Sequence, residues 1–259
     1  MTYLVIAITA LIASFLTFFS GFGLGTILLP VFALFYPLPI AVALTACVHL
    51  LNNLFKLVLV YKHINFKIAL KFGIPSLIAA FFGVMALKRV HQLHLVITTY
   101  NMNGNEFIIT WSGFLIGFLI ILFAIIELIP KLSELSFSET YLVIGGLLSG
   151  FFGGFSGHQG SIRSAFLLRL KLEKNAFIAT GVVIACMVDL VRIPFYTRFS
   201  SLLNGDTDFL LLLVAILSAW IGAFIGSKLF QKTSIAFFKW FVGVFMLTMG
   251  FLILLGVIK

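Results

Sequence analysis

Residues 139–170 read ETYLVIGGLLSGFFGGFSGHQGSIRSAFLLRL, an apolar stretch that glycines interrupt in its middle. A transmembrane helix needs about 20 apolar residues to cross about 30 Å of hydrocarbon, so the stretch is too long for one span. Glycine also weakens a helix interior. The sequence therefore predicts a helix, a break and a second, short helix. The interrupting glycines are Gly150, Gly153, Gly154, Gly157 and Gly160.

A second stretch of the same kind covers residues 3–36. It is interrupted at Gly21, Gly23 and Gly25, and Pro30 follows shortly after. At membrane depth, the backbone groups that a break frees must meet protein or a water-filled cavity. Both breaks are therefore predicted to lie inside the protein, away from lipid.

The whole chain has the composition of a membrane protein. Of its 259 residues, 62% are hydrophobic and 10% are charged, and the mean hydropathy is +1.21. Soluble proteins have about 25% charged residues, so a soluble globule is excluded. The alternating ten-residue strands of a membrane barrel are absent, which predicts an all-α polytopic fold. The predicted apolar segments are 3–36, 38–61, 66–87, 107–129, 139–170, 175–196, 209–230 and 234–257.

The chain is predicted to contain two repeats, each of which starts with a broken segment. Setting Gly25 against Gly160 without gaps aligns further identical residues, namely Ile27 with Ile162, Ala41 with Ala176, Thr45 with Thr180 and Val48 with Val183. The repeats cover residues 1–130 and 139–259, with a short linker at 131–138. Whether they are parallel or inverted depends on whether each short second helix crosses the membrane, and the sequence leaves this open.

The formal charge of +9 comes from Lys and Arg residues in short connections and near segment ends. Phospholipid headgroups and the positive-inside rule account for such charges, so we predict lipid and no nucleic acid as a partner. The first apolar run is too long for a cleaved signal peptide. Cys47 and Cys186 lie inside apolar stretches and are predicted to be buried, unlinked side chains.

Glycine-broken segments at matching positions of two repeats are typical of transport sites at the membrane midplane. The N-termini of half-helices direct unpaired N–H groups and a positive dipole end at anions, so we predict a small anionic substrate. Ordinary small-residue helix packing is the alternative for these glycines. The substrate-binding candidates at the breaks are Gly21, Gly23, Gly25, Thr26, Gly157, His158, Gln159, Gly160 and Ser161.

Arg163 stands among apolar residues just after the second break. Such a charge costs about 2.5–3.5 kcal/mol on insertion scales, so it should be paired or line a cavity, and an anion is a natural partner. The alternative is snorkelling to the interface, which we expect of Arg169. The aligned Thr45 and Thr180 are further candidates to bind an oxyanion, unless they bond their own helix backbone.

The second segment carries a polar sector. Helical spacing places its polar residues on one face, and polar faces of apolar helices point inward. We predict that Asn52 and Asn53 bind substrate and that His49 and Lys56 couple or gate transport. Amides that bond a neighbouring helix are the alternative.

The sixth segment carries Asp189 and Arg192, three residues apart and thus on one helix face. We predict that this pair couples or gates transport. The alternative is that the two residues only form an internal ion pair. Asp189 is predicted to be the only acidic residue deep in a segment, and His158 is the ionisable group nearest the second break. One of these two residues is our candidate for proton coupling.

The sequence carries no complete motif of an enzyme. The string Gly154-Phe155-Ser156-Gly157 fits the G-x-S-G pattern of rhomboid-type intramembrane proteases, but their dyad needs a histidine on a later helix, and His158 is the last histidine. His91 and His94 lack an acidic or thiol partner for a metal. Walker A, HExxH and dinucleotide motifs are absent from the sequence. We predict no enzyme, no cofactor and no metal site.

Several stretches together point to a family. They are Gly21 to Pro30, the turn Pro37-Leu38-Pro39 leading into Ala41 to Thr45, the run Gly145 to Gly153, and the ends Ala79 to Gly83 and Gly222 to Gly226. In these stretches nearly the whole chain resembles the TauE/SafE (TSUP) membrane transporters. Ala165 departs from the family, which commonly has a proline there, and the string Gly157-His158-Gln159-Gly160 is less glycine-rich than usual.

The resemblance implies a secondary transporter for sulfur-containing anions, such as sulfite, sulfoacetate or other sulfonates. It also implies a multi-pass protein of the cytoplasmic (inner) membrane. The expected partners are a small anion and membrane lipid, and a homo-oligomer stays open. The alternative function is a non-transporting membrane scaffold or assembly factor.

Overall fold

The computed structural model describes residues 1–20, 24–93, 95–129, 131, 137–199, 208–229 and 235–258. The described chain is mostly helical, which confirms the predicted class. Its α-helices are α1 (Thr2–Ser20), α2 (Leu24–Ala33), α3 (Leu38–Val60), α4 (Phe66–Gln92), α5 (Trp111–Leu128), α6 (Leu142–Ser156), α7 (Gly160–Leu167), α8 (Lys174–Phe199), α9 (Phe209–Leu229) and α10 (Ile235–Leu254). Short 3₁₀ turns cover Tyr61–His63, Glu139–Tyr141 and Leu168–Leu170.

Five helical stretches within the described residues are long and apolar enough to cross a membrane. They are Leu38–His63, Phe66–Gln92, Trp111–Leu128, Lys174–Tyr196 and Phe209–Lys228. The shorter apolar helices include Thr2–Thr17, Leu24–Ala33 and Trp240–Leu254. The protein is therefore a multi-pass membrane protein, while the figure of eight segments stays a prediction.

One element was not predicted. Strands β1 (Val96–Met102) and β2 (Asn105–Thr110) form an antiparallel hairpin between α4 and α5. Asn103 and Gly104 make its turn, both with positive φ (53° and 80°). An Asn-Gly pair at such a turn is the usual signal of a two-residue hairpin. As a result, the helix expected from residue 107 begins only at Trp111, where Thr110 Oγ1 accepts a hydrogen bond from Gly113 N at 3.1 Å.

The second glycine break is a sharp turn between α6 and α7. Gly157 lies in the left-handed region (φ 81°), and its N–H donates to Gly153 O at 3.0 Å. Glycine is favoured at this position after a helix because it has no Cβ. The other glycines of α6 serve packing: a Cβ at Gly150 would overlap the carbonyl of Ser76 in α4. The glycines of this stretch therefore divide between the turn and helix packing, and a transport site at the break stays a prediction.

Helix α7 turns back toward the start of α6. Phe137, just before α6, donates its N–H to Ala165 O at 3.3 Å, and its ring stacks on Phe166 with centroids 4.4 Å apart. The start of α6 and the end of α7 therefore lie on the same side of the protein. The starts of α4 and α8 are also there, since Lys71 pairs with Glu139 at 3.4 Å and α8 follows α7 directly.

The start of α1 and the end of α2 lie on the opposite side of the protein. The Tyr3 hydroxyl, at the start of α1, donates to Asp208, which precedes α9. Tyr36, between α2 and α3, is close enough to feel the charge of the same carboxylate. Helix α3 starts on this side, and beyond its other end the N–H of Asn65 donates to Thr180 near the start of α8, so this side is the one away from the α6–α7 ends. The three residues between α1 and α2 are outside the described part.

Helices of the first half pack against helices of the second. Helix α1 packs on α9, α4 on α6, α3 on α8 and α5 on α10. Small residues permit these close approaches, since a Cβ at Gly222 of α9 would overlap the carbonyl of Leu11 in α1. The largest apolar core lies among α1, α2, α3, α5 and α9. Cys47 and Cys186 are free, half-buried and buried respectively.

Candidate functional site

The polar sector of α3 points into the protein. His49, Asn52, Asn53 and Lys56 are all buried, with at most 6% of each residue exposed. One helix face carries all four; α3 packs on α8, and side chains of α1 reach this face. Asn52 Oδ1 accepts a hydrogen bond from Ser14 Oγ at 2.9 Å, and Lys56 Nζ donates to Thr17 Oγ1 at 3.5 Å.

Asp189 of α8 is the centre of a buried ion cluster. Nε and Nη2 of Arg192 both lie 2.8 Å from Asp189 Oδ1, and His49 Nδ1 lies 2.6 Å from Oδ2. The predicted pairing of Asp189 with Arg192 is present, and His49 extends it across the two halves of the chain. Asn53 Nδ2 lies 3.3 Å from His49 Nε2. A neutral His49 with its proton on Nδ1 satisfies both ring nitrogens.

The second break joins this cluster through Gln159. Its Nε2 donates to Asp189 Oδ1 at 3.3 Å, and its Oε1 accepts from Arg163 Nη1 at 3.4 Å. The backbone carbonyl of Gln159 accepts from Ser149 Oγ at 2.9 Å. The break is therefore held in place from α6 and α8, and it carries Arg163 on the first turn of α7.

Arg163 is a buried cation without an acidic partner. It is 7% exposed, and in the part of the chain that the structure describes no carboxylate lies within 4.0 Å of it. Helices α7 and α8 thus carry two buried guanidiniums, Arg163 and Arg192, whereas the carboxylate on these two helices, Asp189, is bonded to Arg192. Burying such a charge is costly unless an anion compensates it.

Gly25, the described glycine of the first break, lies beside Gly157 of the second break. A Cβ at Gly25, near the start of α2, would lie 3.3 Å from Thr45 Cγ2 and 3.7 Å from the carbonyl oxygen of Gly157. Thr45 Oγ1 is buried and has no hydrogen-bond partner among the described residues. Thr26 and Gly160, beside the two breaks, are buried as well. The site thus collects N-terminal helix turns from both halves.

A family model now decides what kind of protein carries this arrangement. The model described as Sulfite exporter TauE/SafE matches residues 6–253. The chain belongs to the TauE/SafE family. No curated protein and no solved structure matches it. TauE/SafE proteins are membrane transporters of the sulfite-exporter type and not enzymes, so the suspected family and the transporter class are confirmed.

His158 of this TauE/SafE protein is fully enclosed beside the break. Ser156 Oγ donates to Phe152 O at 3.1 Å, so His158 Nδ1, 3.1 Å from the same oxygen, must donate to it. Its Nε2 then presents a lone pair, and no described residue bonds it. The ring stacks on Phe123 with centroids 5.4 Å apart. The contact between Ser156 and His158 is thus local and does not activate a nucleophile.

Some predicted residues have surroundings that differ from the expectation. Thr180 Oγ1 accepts from the N–H of Asn65 at 3.0 Å, so this hydroxyl ties α8 to the start of α4. Ser161 is half-buried, and its Oγ bonds no described residue. The Nδ2 group of Asn52 likewise has no partner there. Gly21 and Gly23 lie outside the described residues.

Sequence reasoning missed several buried polar residues. Ser14 and Thr17 lie three apart in α1, the spacing of one helix face, and bond the α3 sector. Tyr196 follows Asp189 by seven residues, two helical turns, and its hydroxyl donates to Gly154 O. Glu127, near the end of α5, is 3% exposed, so Asp189 is not the only buried carboxylate.

Proposed function

We propose that this TauE/SafE protein is a secondary transporter that carries small sulfur-containing anions, such as sulfite and sulfonates, across the cytoplasmic membrane. The observation that carries the proposal is Arg163, a buried guanidinium on the first turn of a half-helix with no described carboxylate beside it. An anion supplies the missing charge, and the family supplies the sulfur oxyanion as the substrate class.

The binding groups that we propose come from both breaks. The start of α7 offers backbone N–H groups and the Arg163 guanidinium, and the start of α2 brings Gly25 next to Thr45. The hydroxyl of Thr45 and the amide of Asn52 have hydrogen-bonding capacity that no described residue uses. Donors of this kind replace the hydration shell that an oxyanion loses on entering the membrane.

The direction of the helices supports a two-fold organisation of the chain. The α1–α2 pair opens to one side and the α6–α7 pair to the other, and each is followed by three long helices. Two repeats inserted in opposite directions, at residues 1–130 and 139–259, produce this relation and also the pairing of α1 with α9 and of α4 with α6. In transporters with such repeats, rocking of one half against the other exposes the central site alternately.

Coupling is assigned in this proposal to the cluster of His49, Asp189 and Arg192, with Lys56 beside it. The pair between His49 and Asp189 crosses from one half to the other, at 2.6 Å and without solvent contact. If the halves separate during transport, Asp189 keeps Arg192 but loses His49, and the loss of one of its two charged partners favours uptake of a proton. A proton gradient can therefore act on the movement through this pair.

The decisive experiment measures substrate uptake into liposomes that contain the purified protein. Labelled sulfite, sulfate, thiosulfate, sulfoacetate and taurine are compared, with and without a pH gradient. We expect saturable uptake of at least one anion, and Arg163→Ala should reduce it about tenfold or more, because a hydrogen bond to a charged group contributes about 1.5–3 kcal/mol. Arg169→Ala is the matched control, since Arg169 is exposed.

The outcomes separate the candidates. Uptake that Arg163→Ala leaves unchanged would exclude the α7 site and move the substrate toward the polar face of α3. A folded protein that transports none of these anions, and that purifies with a stoichiometric partner, would favour the scaffold. The same purification measures whether the protein is a homo-oligomer.

A further inference from the structure

Two carbonyl oxygens near the C-terminal end of α6 accept hydrogen bonds from side chains of α8. One of them, Gly153 O, also accepts the N–H of Gly157 at 3.0 Å. Arg192 Nη1 donates to Gly153 O at 3.1 Å, and the Tyr196 hydroxyl donates to Gly154 O. Both residues have 0% exposure. The negative end of this half-helix therefore meets a charged and a polar group of the protein itself.

Asp189 completes a cluster of oxygen atoms around the same guanidinium. Its Oδ1 lies 2.8 Å from both Nε and Nη2 of Arg192. Gly157 leaves room for the group, because a Cβ there would stand 3.0 Å from Nη1. One guanidinium thus satisfies a carboxylate oxygen and a helix-end carbonyl.

Carboxylate and carbonyl oxygens at the C-terminal end of a half-helix are the ligands with which broken-helix transporters hold a transported Na⁺. Hard cations prefer such oxygen sets. In this chain a tethered cation already occupies them. We propose that Arg192 is a built-in counter-cation that replaces a transported Na⁺ at the end of α6, so that transport is independent of alkali cations.

This inference rests on the proposed anion transport. It adds that Na⁺ and other alkali cations are not needed for that transport. A guanidinium joined to α8 contributes the same positive charge in every conformation of the carrier. The oxygen atoms around the end of α6 therefore need no alkali cation to bind them. Arg192 acts here as a positioning residue for α6 and its break, and Arg163 remains the residue that we assign to the substrate.

The test uses the full chain in liposomes with the membrane potential clamped at zero. Uptake of labelled sulfite is measured with Na⁺, K⁺ or N-methylglucamine as the only external cation. A coupling ion changes affinity about 5- to 150-fold, so we expect the same apparent affinity in all three salts. Arg192→Ala should transport about tenfold more slowly or worse. Added guanidinium should restore part of the rate, whereas tetramethylammonium, which has no N–H donors, should not.

Two further variants guard against a merely structural effect. Arg192→Lys keeps the charge with a single nitrogen, so it should fold, transport at an intermediate rate and stay independent of Na⁺. Arg169→Ala should match the wild type. Wild-type uptake that requires Na⁺, or a folded Arg192→Ala protein with the wild-type rate, would overturn this inference and leave anion transport standing. No uptake of sulfite or of the other four labelled anions in any salt would overturn the proposed function itself.

Discussion

Thr45 and Thr180 occupy matching positions of the two repeats that we propose, yet their hydroxyls have different surroundings. Thr180 Oγ1 accepts a hydrogen bond from Asn65 N at 3.0 Å, whereas Thr45 Oγ1 has no partner among the described residues. Both residues are almost fully buried. A buried polar group without a partner costs free energy, so Thr45 has a reason to bind substrate that Thr180 lacks.

Valine substitutions separate the two roles. Thr45→Val removes a hydroxyl that no described residue uses, so it should leave the free energy of unfolding nearly unchanged and raise KM for the anion several-fold. Thr180→Val strands the Asn65 N–H and should cost about 1–3 kcal/mol of stability with KM unchanged. Thermal unfolding in detergent and uptake kinetics measure both effects. A stability loss in Thr45→Val with no change in KM would contradict the assignment.

Asp189 is the residue whose charge the pH dependence of transport should report. Asp189→Asn keeps the shape of the side chain but can no longer gain or lose a proton. We expect its residual uptake to become insensitive to a pH gradient. His49→Gln is the companion variant, because it keeps a donor opposite Asp189 without a titrating ring. An unchanged pH profile in folded Asp189→Asn would show that the carboxylate does not couple protons.

Much of the candidate site could be predicted at the level of residue types. Charged and amide groups in apolar helices cost free energy and are rare there. The polar face of α3 and the ionic residues of α8 can therefore be recognised from the sequence as candidates. The distances between them could not be predicted. Whether Asp189 meets His49, Gln159 or Arg163 depends on the packing of α3 against α8, and no local sequence signal encodes that contact.

At the scale of elements, the glycines of α6 divide between two tasks that look alike in the sequence. Gly150 and Gly154 lie where the backbone of α4 passes, and Gly157 forms the turn. The hairpin of β1 and β2 carried a readable signal in Asn103-Gly104, but its flanking strands are short and lie beside long apolar runs. Hydropathy alone therefore extended the following helix by four residues too many.

Asp208 links the start of α9 to α1, and its effect on stability should depend on pH. Its carboxylate accepts from the Tyr3 hydroxyl and, at 3.1 Å, from Leu211 N. These bonds, first of all the one from Tyr3, hold the pKa of Asp208 below its ordinary value. Its contribution is therefore present above the unfolded pKa of about 3.9 and is lost as pH falls through the lower folded pKa.

Asp208→Asn keeps an acceptor for the helix cap and removes the charge. We expect a lower Tm than that of the wild type at neutral pH and a gap that closes in acid, below the folded pKa. Tyr3→Phe should reproduce part of the loss, since it removes the first of the two donors. Melting curves in detergent across the pH range provide the measurement. A gap that widens toward acid would contradict the sign of the argument.

For the whole molecule, composition and hydropathy were sufficient to predict a helical membrane protein, and the degenerate glycine motifs were sufficient to suggest the family. They could not predict the direction of the short helices. A helix after a break can continue across the membrane or turn back, and its amphipathic pattern is the same in both cases. The return of α7 is decided by contacts far apart in sequence, such as Phe137 on Phe166.

Opposite insertion of the two halves is a property of the whole chain that labelling can test. In a background without Cys47 and Cys186, single cysteines are placed at Thr2 and Thr140, which precede the two broken segments. Because Tyr3 meets Asp208 while Glu139 pairs with Lys71, these positions lie on opposite sides. An impermeant maleimide added to right-side-out vesicles should therefore label only one of them.

Two further positions check the assignment of the sides. Asn101→Cys in the hairpin should be labelled from the same side as Thr2→Cys, since Tyr100 bonds Leu255 O beyond α10. Lys62→Cys should be labelled from the same side as Thr140→Cys. Labelling of Thr2 and Thr140 from the same side would exclude inverted repeats, and the alternating-access scheme would then need parallel halves.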